Sequence, residues 1–194
     1  MITKTILRSK NTLALLLVDI QKGLDDWKYY GGNRNNPDAE KNAAKLLKRF
    51  RKLNFPLFHI KHGSTNPHSP LHPSKPGFQI KDEVNPLIEE PVLIKNVNSG
   101  FIGTDLESQL RERGIEQLVI VGLTTNHCIS STVRMGANLG FDIFVISDAT
   151  ATFDRKGING DLYTSQLLHE TSLASLNEEF ATVLDTNTLL NILS

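Results

Sequence analysis

The sequence has little cysteine and no excess of charge. Cys128 is the one cysteine, so an internal disulfide is excluded and the fold depends on its packed core. Lys plus Arg and Asp plus Glu number 21 each, so the charge balance does not indicate nucleic acid, an anionic membrane or a strongly charged substrate as the partner. These absences favour a small-molecule partner.

Long hydrophobic runs are missing as well. The N-terminal segment MITKTILRSKN lacks the apolar stretch of a signal peptide, and apolar runs such as LALLLV are far too short to cross a bilayer. The first apolar run leads into DIQKGL and not into a glycine-rich turn, which argues against a dinucleotide cofactor. We expect a cytoplasmic protein without a membrane span or cofactor, folded as one domain over residues 1–194.

Short apolar runs alternate with longer amphipathic stretches, which predicts a three-layer α/β/α domain around a parallel sheet. The predicted helices are DAEKNAAKLLKRFRKL, TDLESQLRERG, NHCISSTVRMGANLG and DLYTSQLLHETSLASLNEEF. The predicted strands are LALLLVD ending at Asp19, PLFHIK before His62, VLIK ending at Lys95, QLVIVG ending at Gly122, FDIFVIS before Asp148 and FATVLD before Thr186. A Pro-rich segment, STNPHSPLHPSKPGFQIKDEVNPLIEEP, interrupts this pattern and predicts a functional loop or lid.

Three reactive residue types fall at predicted strand ends. Asp19 closes the first strand, Lys95 closes the third, and Cys128 follows the fourth at the start of a helix. Ligands of open parallel sheets bind beyond the carboxyl ends of the strands. The sequence therefore predicts that these three side chains meet at one site.

The surroundings of Cys128 are typical of a nucleophile. Thr125 or Asn126 could cap the helix that begins near His127, and the positive helix end together with Lys95 would lower the pKa of the thiol. Asp19 could take the thiol proton and later activate water. Backbone amides at the helix start, including that of Cys128, could stabilise an oxyanion, and this chemistry requires no metal.

Other interpretations of the same residues stay open. An isolated cysteine is more often an inert core residue, and an Asp or Lys at a strand end is more often a cap or a solvated group. The run HCISSTVR also has the spacing of a cysteine-dependent phosphatase, with Arg134 as the arginine. Its interior lacks glycine, however, and continues as a helix, which disfavours a phosphate-binding loop.

Three segments resemble the isochorismatase-like cysteine hydrolase superfamily: LLLVDIQKG, IKNVNSGFIGTDL and VGLTTNHCISSTVRMGANLGFDIFVISDATATFD. The resemblance implies a Rossmann-like isochorismatase fold with strand order 3-2-1-4-5-6, a triad of Asp19, Lys95 and Cys128, and a homo-oligomer, either a dimer or a tetramer. It implies an oxyanion hole formed by the amides of Thr124 and Cys128, and a cis peptide bond between Leu123 and Thr124. The implied activity is hydrolysis of a small-molecule amide through a thioester, with vinyl ether hydrolysis of the isochorismatase type or a non-catalytic scaffold as alternatives.

The motif residues have neighbours at the same sheet edge that we expect to include substrate contacts. These are Gln21, Trp27, His62, Phe101, Thr125 and Asn126. The chain departs from the nicotinamidases of this superfamily, which carry an Asp-x-His metal motif after the second strand. Here that segment reads FHIKHGSTNPHSPLHP, and the Asp is missing although four histidines are present: His59, His62, His68 and His72. We therefore predict no metal site.

Overall fold

The computed structural model describes residues 12–194. The strands are β1 (Leu13–Val18), β2 (Leu57–His62), β3 (Val92–Lys95), β4 (Gln117–Leu123), β5 (Asp142–Ala151), β6 (Arg155–Lys156), β7 (Leu162–Tyr163) and β8 (Thr182–Leu184). The helices are α1 (Trp27–Tyr30), α2 (Ala39–Leu53), α3 (Leu106–Glu112), α4 (Ser130–Asn138), α5 (Ser165–Leu176) and α6 (Thr186–Ile192). Short 3₁₀ turns span Lys22–Asp25, Pro76–Phe78 and Asp82–Val84.

A six-stranded parallel sheet has the order β3-β2-β1-β4-β5-β8. The predicted order 3-2-1-4-5-6 is confirmed, because β8 is the sixth strand of this sheet along the chain. The intervening β6 and β7 form a separate antiparallel hairpin. We did not predict this hairpin or α6, because two-residue strands and a seven-residue helix are too short to give a clear periodic signal.

The central strands β1 and β4 are buried on both faces, as their continuous apolar sequences indicate. In β1, the side chains of Ala14, Leu16 and Val18 join a core beneath α3, α4 and α5, and those of Leu13, Leu15 and Leu17 join a core beneath α2 and α6. All six are essentially inaccessible. The three-layer α/β/α prediction is confirmed. Within the described residues, no helix is long and apolar enough to cross a membrane.

Two neighbouring strands approach each other closely at the carboxyl edge of the sheet. Val18 pairs with Gly122 in the β1–β4 register. Gly122 has φ +123, and a Cβ atom there would lie 1.9 Å from the Val18 carbonyl oxygen. Only glycine fits this position. The close approach brings the residue that follows β1 near the turn that follows β4.

The Pro-rich segment runs along this same edge. The Lys22 N–H donates to the Gln79 carbonyl at 2.8 Å, and the Lys81 N–H donates to the Ile20 carbonyl at 2.9 Å. These bonds attach the segment to the residues that follow β1. The segment therefore forms a wall beside the strand ends.

Candidate active site

Asp19, Lys95 and Cys128 converge at the carboxyl edge of the sheet. Lys95 Nζ lies 2.7 Å from Asp19 Oδ2 and 3.3 Å from Cys128 Sγ. Asp19 adopts φ 53 directly after β1, a left-handed conformation that Asp tolerates better than most residues. Its N–H donates to the Ile60 carbonyl at 2.8 Å, which fixes this turn to β2. The structure thus brings together the three residues selected from separate segments.

The Lys95 and Asp19 side chains are almost fully buried, at 0% and 2% exposure. Asp19 Oδ2 accepts from Lys95, whereas Asp19 Oδ1 is buried and has no hydrogen-bond partner among the described residues. An Asp19 oxygen lies within 4.8 Å of Cys128 Sγ. A carboxylate oxygen without a donor has room to accept a hydrogen bond from the nearby thiol.

The thiol differs from the sequence-based expectation of a low pKa. Burial raises the pKa of Cys128, the Asp19 carboxylate raises it further, and the opposing effect of Lys95 does not restore it. Removing the thiol from water penalises the thiolate more than one ammonium stabilises it. Burial therefore favours the protonated thiol, and Asp19 is the adjacent group that could take its proton.

A tight turn carries Cys128. The Leu123–Thr124 peptide is cis, as the resemblance implied, and a π-helical turn over Thr125–Ile129 leads into α4. The Thr124 carbonyl accepts from the N–H groups of His127 and Ile129, at 3.1 and 3.2 Å. This turn holds the backbone of Thr124 and Cys128 beside the same cavity.

The expected side-chain cap of this helix is absent from the described structure. Thr125 Oγ1 instead hydrogen bonds to His169 Nδ1 at 2.9 Å, and Asn126 Oδ1 accepts from the Thr152 hydroxyl. Both side chains thus connect the turn to α5 and to the end of β5. They fix the turn from outside rather than cap it.

A cavity of about 190 Å³ opens beside Cys128, whose residual exposure is 9%. It is smaller than the roughly 300–1,000 Å³ of sites for drug-sized ligands, so it suits a small metabolite. Its wall combines polar groups with an apolar and aromatic side. The lining residues are Asp19, Leu24, Tyr29, Tyr30, His62, Ser69, Leu71, Asn98, Leu123, Thr124, His127, Cys128, Thr152, Phe153 and Arg155.

Of the six residues expected to contact substrate, His62 lines the cavity. Its Nδ1 lies 3.1 Å from Lys95 Nζ, and its pKa is lowered by burial and by that ammonium. Burial makes the cationic form of the ring unfavourable, and the adjacent positive charge adds to this effect. His62 is therefore a neutral ring beside the Lys95–Asp19 pair.

The other five lie outside the cavity wall, for identifiable reasons. Gln21 is fully buried, and its amide binds the backbone of His62 and Phe78. Phe101 stacks on Phe141 in the core, with ring centroids 5.9 Å apart. Gln21 follows Asp19 and Phe101 follows Lys95 in the sequence, but packing directs both side chains into the protein interior.

Thr125 and Asn126 are occupied by the hydrogen bonds described above, which direct them away from the cavity. Trp27 is 43% exposed and borders a separate polar groove, next to Arg34 and Glu40. The cavity is therefore lined mainly by residues that we did not predict from the sequence.

Several of the missed lining residues come from α1 and from the segment that follows β5. Tyr30 stacks on Phe153 with centroids 5.2 Å apart, and Arg155 follows shortly after. The predicted fifth strand ended at Ser147, whereas β5 continues to Ala151. Had its true end been known, the rule about carboxyl ends would have indicated the TFDR segment.

The histidines form no cluster with one another. His59 is buried within β2 and bonds to Glu90 at 3.0 Å, a structural role that agrees with its expected packed position. His68 and His72 lie in the Pro-rich segment, away from the cavity wall.

One group with metal-ligand chemistry does exist. Ligand atoms of Asp19, His62 and Cys128 lie within 4.8 Å of one another. The Lys95 ammonium hydrogen bonds to all three, at 2.7, 3.1 and 3.3 Å. A cation at this position would meet a buried positive charge at close range, so these residues do not fit a metal ion.

The phosphatase interpretation requires Arg134 beside the thiol. Its guanidinium instead bonds to the Ser130 and Ser175 hydroxyls and lies 4.4 Å from the centre of the Phe180 ring. Arg134 is not part of the cavity wall. The helical continuation after Cys128 carries the arginine away from the nucleophile, as the sequence indicated.

Comparisons with known proteins identify the family and the fold of this chain. The Isochorismatase domain model matches residues 13–188. The isochorismatase family protein YrdC of Bacillus subtilis is 48% identical over 178 residues, covering 92% of this chain and 94% of that protein. A solved structure from Chromobacterium violaceum, described as of the isochorismatase family, has a TM-score of 0.91 at 38% identity and covers 100% of this chain and 98% of its own. The ureidoacrylate amidohydrolase RutB of Klebsiella pneumoniae is 33% identical over 149 residues, which are 75% of this chain and 57% of that protein.

Proposed function

This chain is a hydrolase of the isochorismatase family, and from that premise we propose that it cleaves a C–N bond of a small-molecule amide or carbamoyl compound. Cys128 is the nucleophile, Asp19 the general base and Lys95 the group that orients both. The observation that carries this proposal is the position of Lys95 Nζ, 2.7 Å from Asp19 and 3.3 Å from Cys128 beside a cavity. The relationship to RutB, an amidohydrolase, supports the choice of an amide.

The first half of the reaction forms a thioester. The Cys128 thiol gives its proton to Asp19 while Sγ forms a bond to the substrate carbonyl carbon, and the carbonyl electron pair moves to oxygen. When this oxyanion collapses, the C–N bond breaks and the leaving nitrogen takes the proton from Asp19. Because burial favours the protonated thiol, we propose that proton transfer to Asp19 accompanies attack.

The second half returns the enzyme to its starting state. Water replaces the departed amine, and Asp19 takes a proton as the water oxygen attacks the thioester carbonyl. The C–S bond then breaks, the proton returns to sulfur and the carboxylic acid leaves. Lys95 orients Asp19 beside Sγ in both halves of the reaction, because its ammonium contacts both groups.

The oxyanion requires fixed donors in both halves. We assign this role to the backbone N–H groups of Thr124 and Cys128, which belong to residues of the cavity wall. The tight turn around them limits rearrangement during the reaction. Donors that are fixed before charge develops stabilise a transition state more than donors that must reorient.

A screen of small primary amides, imides and carbamoyl compounds tests the proposal, with ammonia or amine release as the readout. Wild-type protein and Cys128→Ser are compared on every compound. We expect release by the wild type alone and its loss after treatment with iodoacetamide, since this chain has one cysteine. Isochorismate belongs in the screen with pyruvate release as its own readout, because vinyl ether hydrolysis forms no acyl-enzyme and would persist in Cys128→Ser. Equal binding without turnover in both proteins would favour a scaffold instead.

Two further expectations stay predictions. The cytoplasmic location is proposed from cysteine usage, because the one cysteine forms no internal disulfide and suits a reducing compartment. The homo-oligomer, a dimer or a tetramer, rests on the family resemblance. Sedimentation of the purified chain measures the second directly.

A further inference from the structure

Arg155 occupies the cavity wall close to the proposed nucleophile. It is the first residue of β6, and its backbone is fixed by pairing with Tyr163 of β7. Its Nη2 lies 3.2 Å from each ring nitrogen of His127, the residue that precedes Cys128. Arg155 and Cys128 line the same cavity of about 190 Å³. A short molecule can therefore reach both side chains at once.

The guanidinium has unused donors. Within residues 12–194, Arg155 has no carboxylate within 4.0 Å, and its Nε and Nη1 make no hydrogen bond. The neighbouring Asp154 carboxylate does not pair with Arg155, and its Oδ1 accepts a hydrogen bond from the Ser165 N–H at 2.6 Å. A guanidinium presents its donors in a planar fork that matches a carboxylate.

The other charges of the site cancel one another. Lys95 and Asp19 form an ion pair. Burial lowers the pKa of His62 and of His127, and the adjacent Lys95 and Arg155 lower these pKa values further, so both rings are neutral at neutral pH. Arg155 therefore leaves the cavity with one positive charge that no described residue compensates. Such a charge at a small cavity attracts an anion.

An apolar wall lies beside these polar groups. Tyr30 stacks on Phe153, with their rings inclined by 23°, and both line the cavity with Leu24 and Leu71. This surface suits a short carbon chain. The cavity thus offers a nucleophile, an apolar surface and a cation to one small molecule.

From this arrangement, and resting on the proposed role of Cys128, we infer that Arg155 binds a carboxylate of the substrate. The substrate class is then a small amide or carbamoyl compound that also carries a carboxylate. Arg155 determines specificity and is not needed for the chemical step. Its contribution appears in substrate binding, because the carboxylate keeps its charge throughout the reaction.

Alkylation of Cys128 tests this inference without a known substrate. Iodoacetate and iodoacetamide both transfer a two-carbon group to sulfur with loss of iodide and of the thiol proton, and only iodoacetate carries a carboxylate. The rate ratio of iodoacetate to iodoacetamide is measured by intact mass for wild type, Arg155→Ala, Arg155→Lys and Lys156→Ala. Lys156 is the matched control, because it is the adjacent cation of the same hairpin and does not line the cavity.

We expect the ratio to fall about tenfold or more in Arg155→Ala, to fall less in Arg155→Lys, and to stay unchanged in Lys156→Ala. Equal ratios in wild type and Arg155→Ala would overturn the inference. An equal fall in Lys156→Ala would also overturn it, because the effect would then belong to the charge of the hairpin as a whole. Resistance of Cys128 to both reagents would overturn it too, since the cavity would not admit such a molecule.

Paired substrates give the second measurement and separate this inference from the proposed function. Succinamate and N-carbamoylglycine carry a carboxylate, and succinamide and N-carbamoylglycinamide replace it with a neutral amide. Arg155→Ala should raise KM for the anionic member of a pair about tenfold or more, and it should change kcat and the KM of the neutral member much less. If the alkylation ratio depends on Arg155 but Cys128→Ala retains turnover, the proposed function fails and the carboxylate site stands. If Cys128 is essential but Arg155→Ala slows both members equally, only the inference about Arg155 fails.

Discussion

Lys95 and Asp19 lie 76 positions apart in the chain, and their side chains form a 2.7 Å ion pair that is closed to solvent. The carboxyl ends of β1 and β3, separated by β2, bring them together. The free energy needed to remove two charges from water offsets most of their mutual attraction, so such a pair contributes little net stability. Its position beside Cys128 suits the proton transfer that we propose for Asp19.

Breaking this pair should cost more than removing it. We expect Lys95→Met to destabilise the fold by about 3–5 kcal/mol, because Asp19 is then buried without a partner. The double variant Asp19→Asn with Lys95→Met should recover much of this loss, and both proteins should be inactive. Urea unfolding of the two single variants and the double variant measures the coupling. Additive losses would show that the two side chains do not interact.

A second buried charge network predicts acid sensitivity. Burial alone would raise the pKa of Glu40, but the hydrogen bonds and charges of Arg34 and Lys81 outweigh it and lower this pKa to about 2. A carboxyl whose pKa is lower in the folded state stabilises the fold above its unfolded pKa, and this contribution is lost as pH falls through the folded pKa. We expect wild type to lose on the order of 3 kcal/mol from this group between about pH 4.5 and 2.

The Glu40→Gln variant is the control for this pH dependence. It has no carboxyl at position 40 to titrate, so its free energy of unfolding should change less over the same pH interval. Urea unfolding at a series of pH values gives both curves. Parallel curves for the two proteins would contradict the assignment to Glu40.

The thiol should titrate above the range of an ordinary cysteine. Burial and Asp19 raise the pKa of Cys128, so the rate of alkylation by iodoacetamide should keep rising with pH beyond the value at which a free thiol reaches its plateau, near pH 8.5–9. N-acetylcysteine is the reference compound. A plateau at or below neutral pH would indicate a resting thiolate and would restore the sequence-based expectation.

The close approach of β1 and β4 predicts a position that tolerates glycine alone. In Gly122→Ala, the new Cβ atom would lie 1.9 Å from the Val18 carbonyl oxygen, and we expect a loss on the order of 3 kcal/mol or more. Gly32→Ala is the matched control, because Gly32 also has a positive φ, +106, but has no atom within 4 Å of the added Cβ. Its expected loss is about 1 kcal/mol. Equal losses in urea unfolding would show that backbone strain alone acts at both positions.

Sequence patterns predicted the layers, because buried strands are apolar and the crossovers are amphipathic, whereas the strand order came only from the family resemblance. They also selected Asp19, Lys95 and Cys128, since all three stand where predicted strands end or a helix begins. These features depend on local sequence and on the general geometry of parallel sheets. The structure adds that the three side chains are close enough to interact.

The cavity wall was harder to predict, since it depends on where side chains point. Phe101 turns into the core and Thr125 turns toward His169, and no periodic pattern distinguishes these orientations from exposure to the cavity. Tyr30 and Arg155 enter the wall through the short helix α1 and the short strand β6. The low thiol pKa was expected from the helix start and the Lys95 ammonium, but burial and the Asp19 carboxylate outweigh these effects.

The most direct test of the central claim is a mass-spectrometric search for the acyl-enzyme on an amide that the wild type hydrolyses. Rapid acid quenching during turnover should show the mass of the acyl group on the peptide that contains Cys128, and Cys128→Ala should form no adduct and release no ammonia. We expect Cys128→Ala to unfold within about 1–2 kcal/mol of wild type, so that lost activity reflects lost chemistry. Ammonia release by a folded Cys128→Ala protein at the wild-type rate would contradict the account.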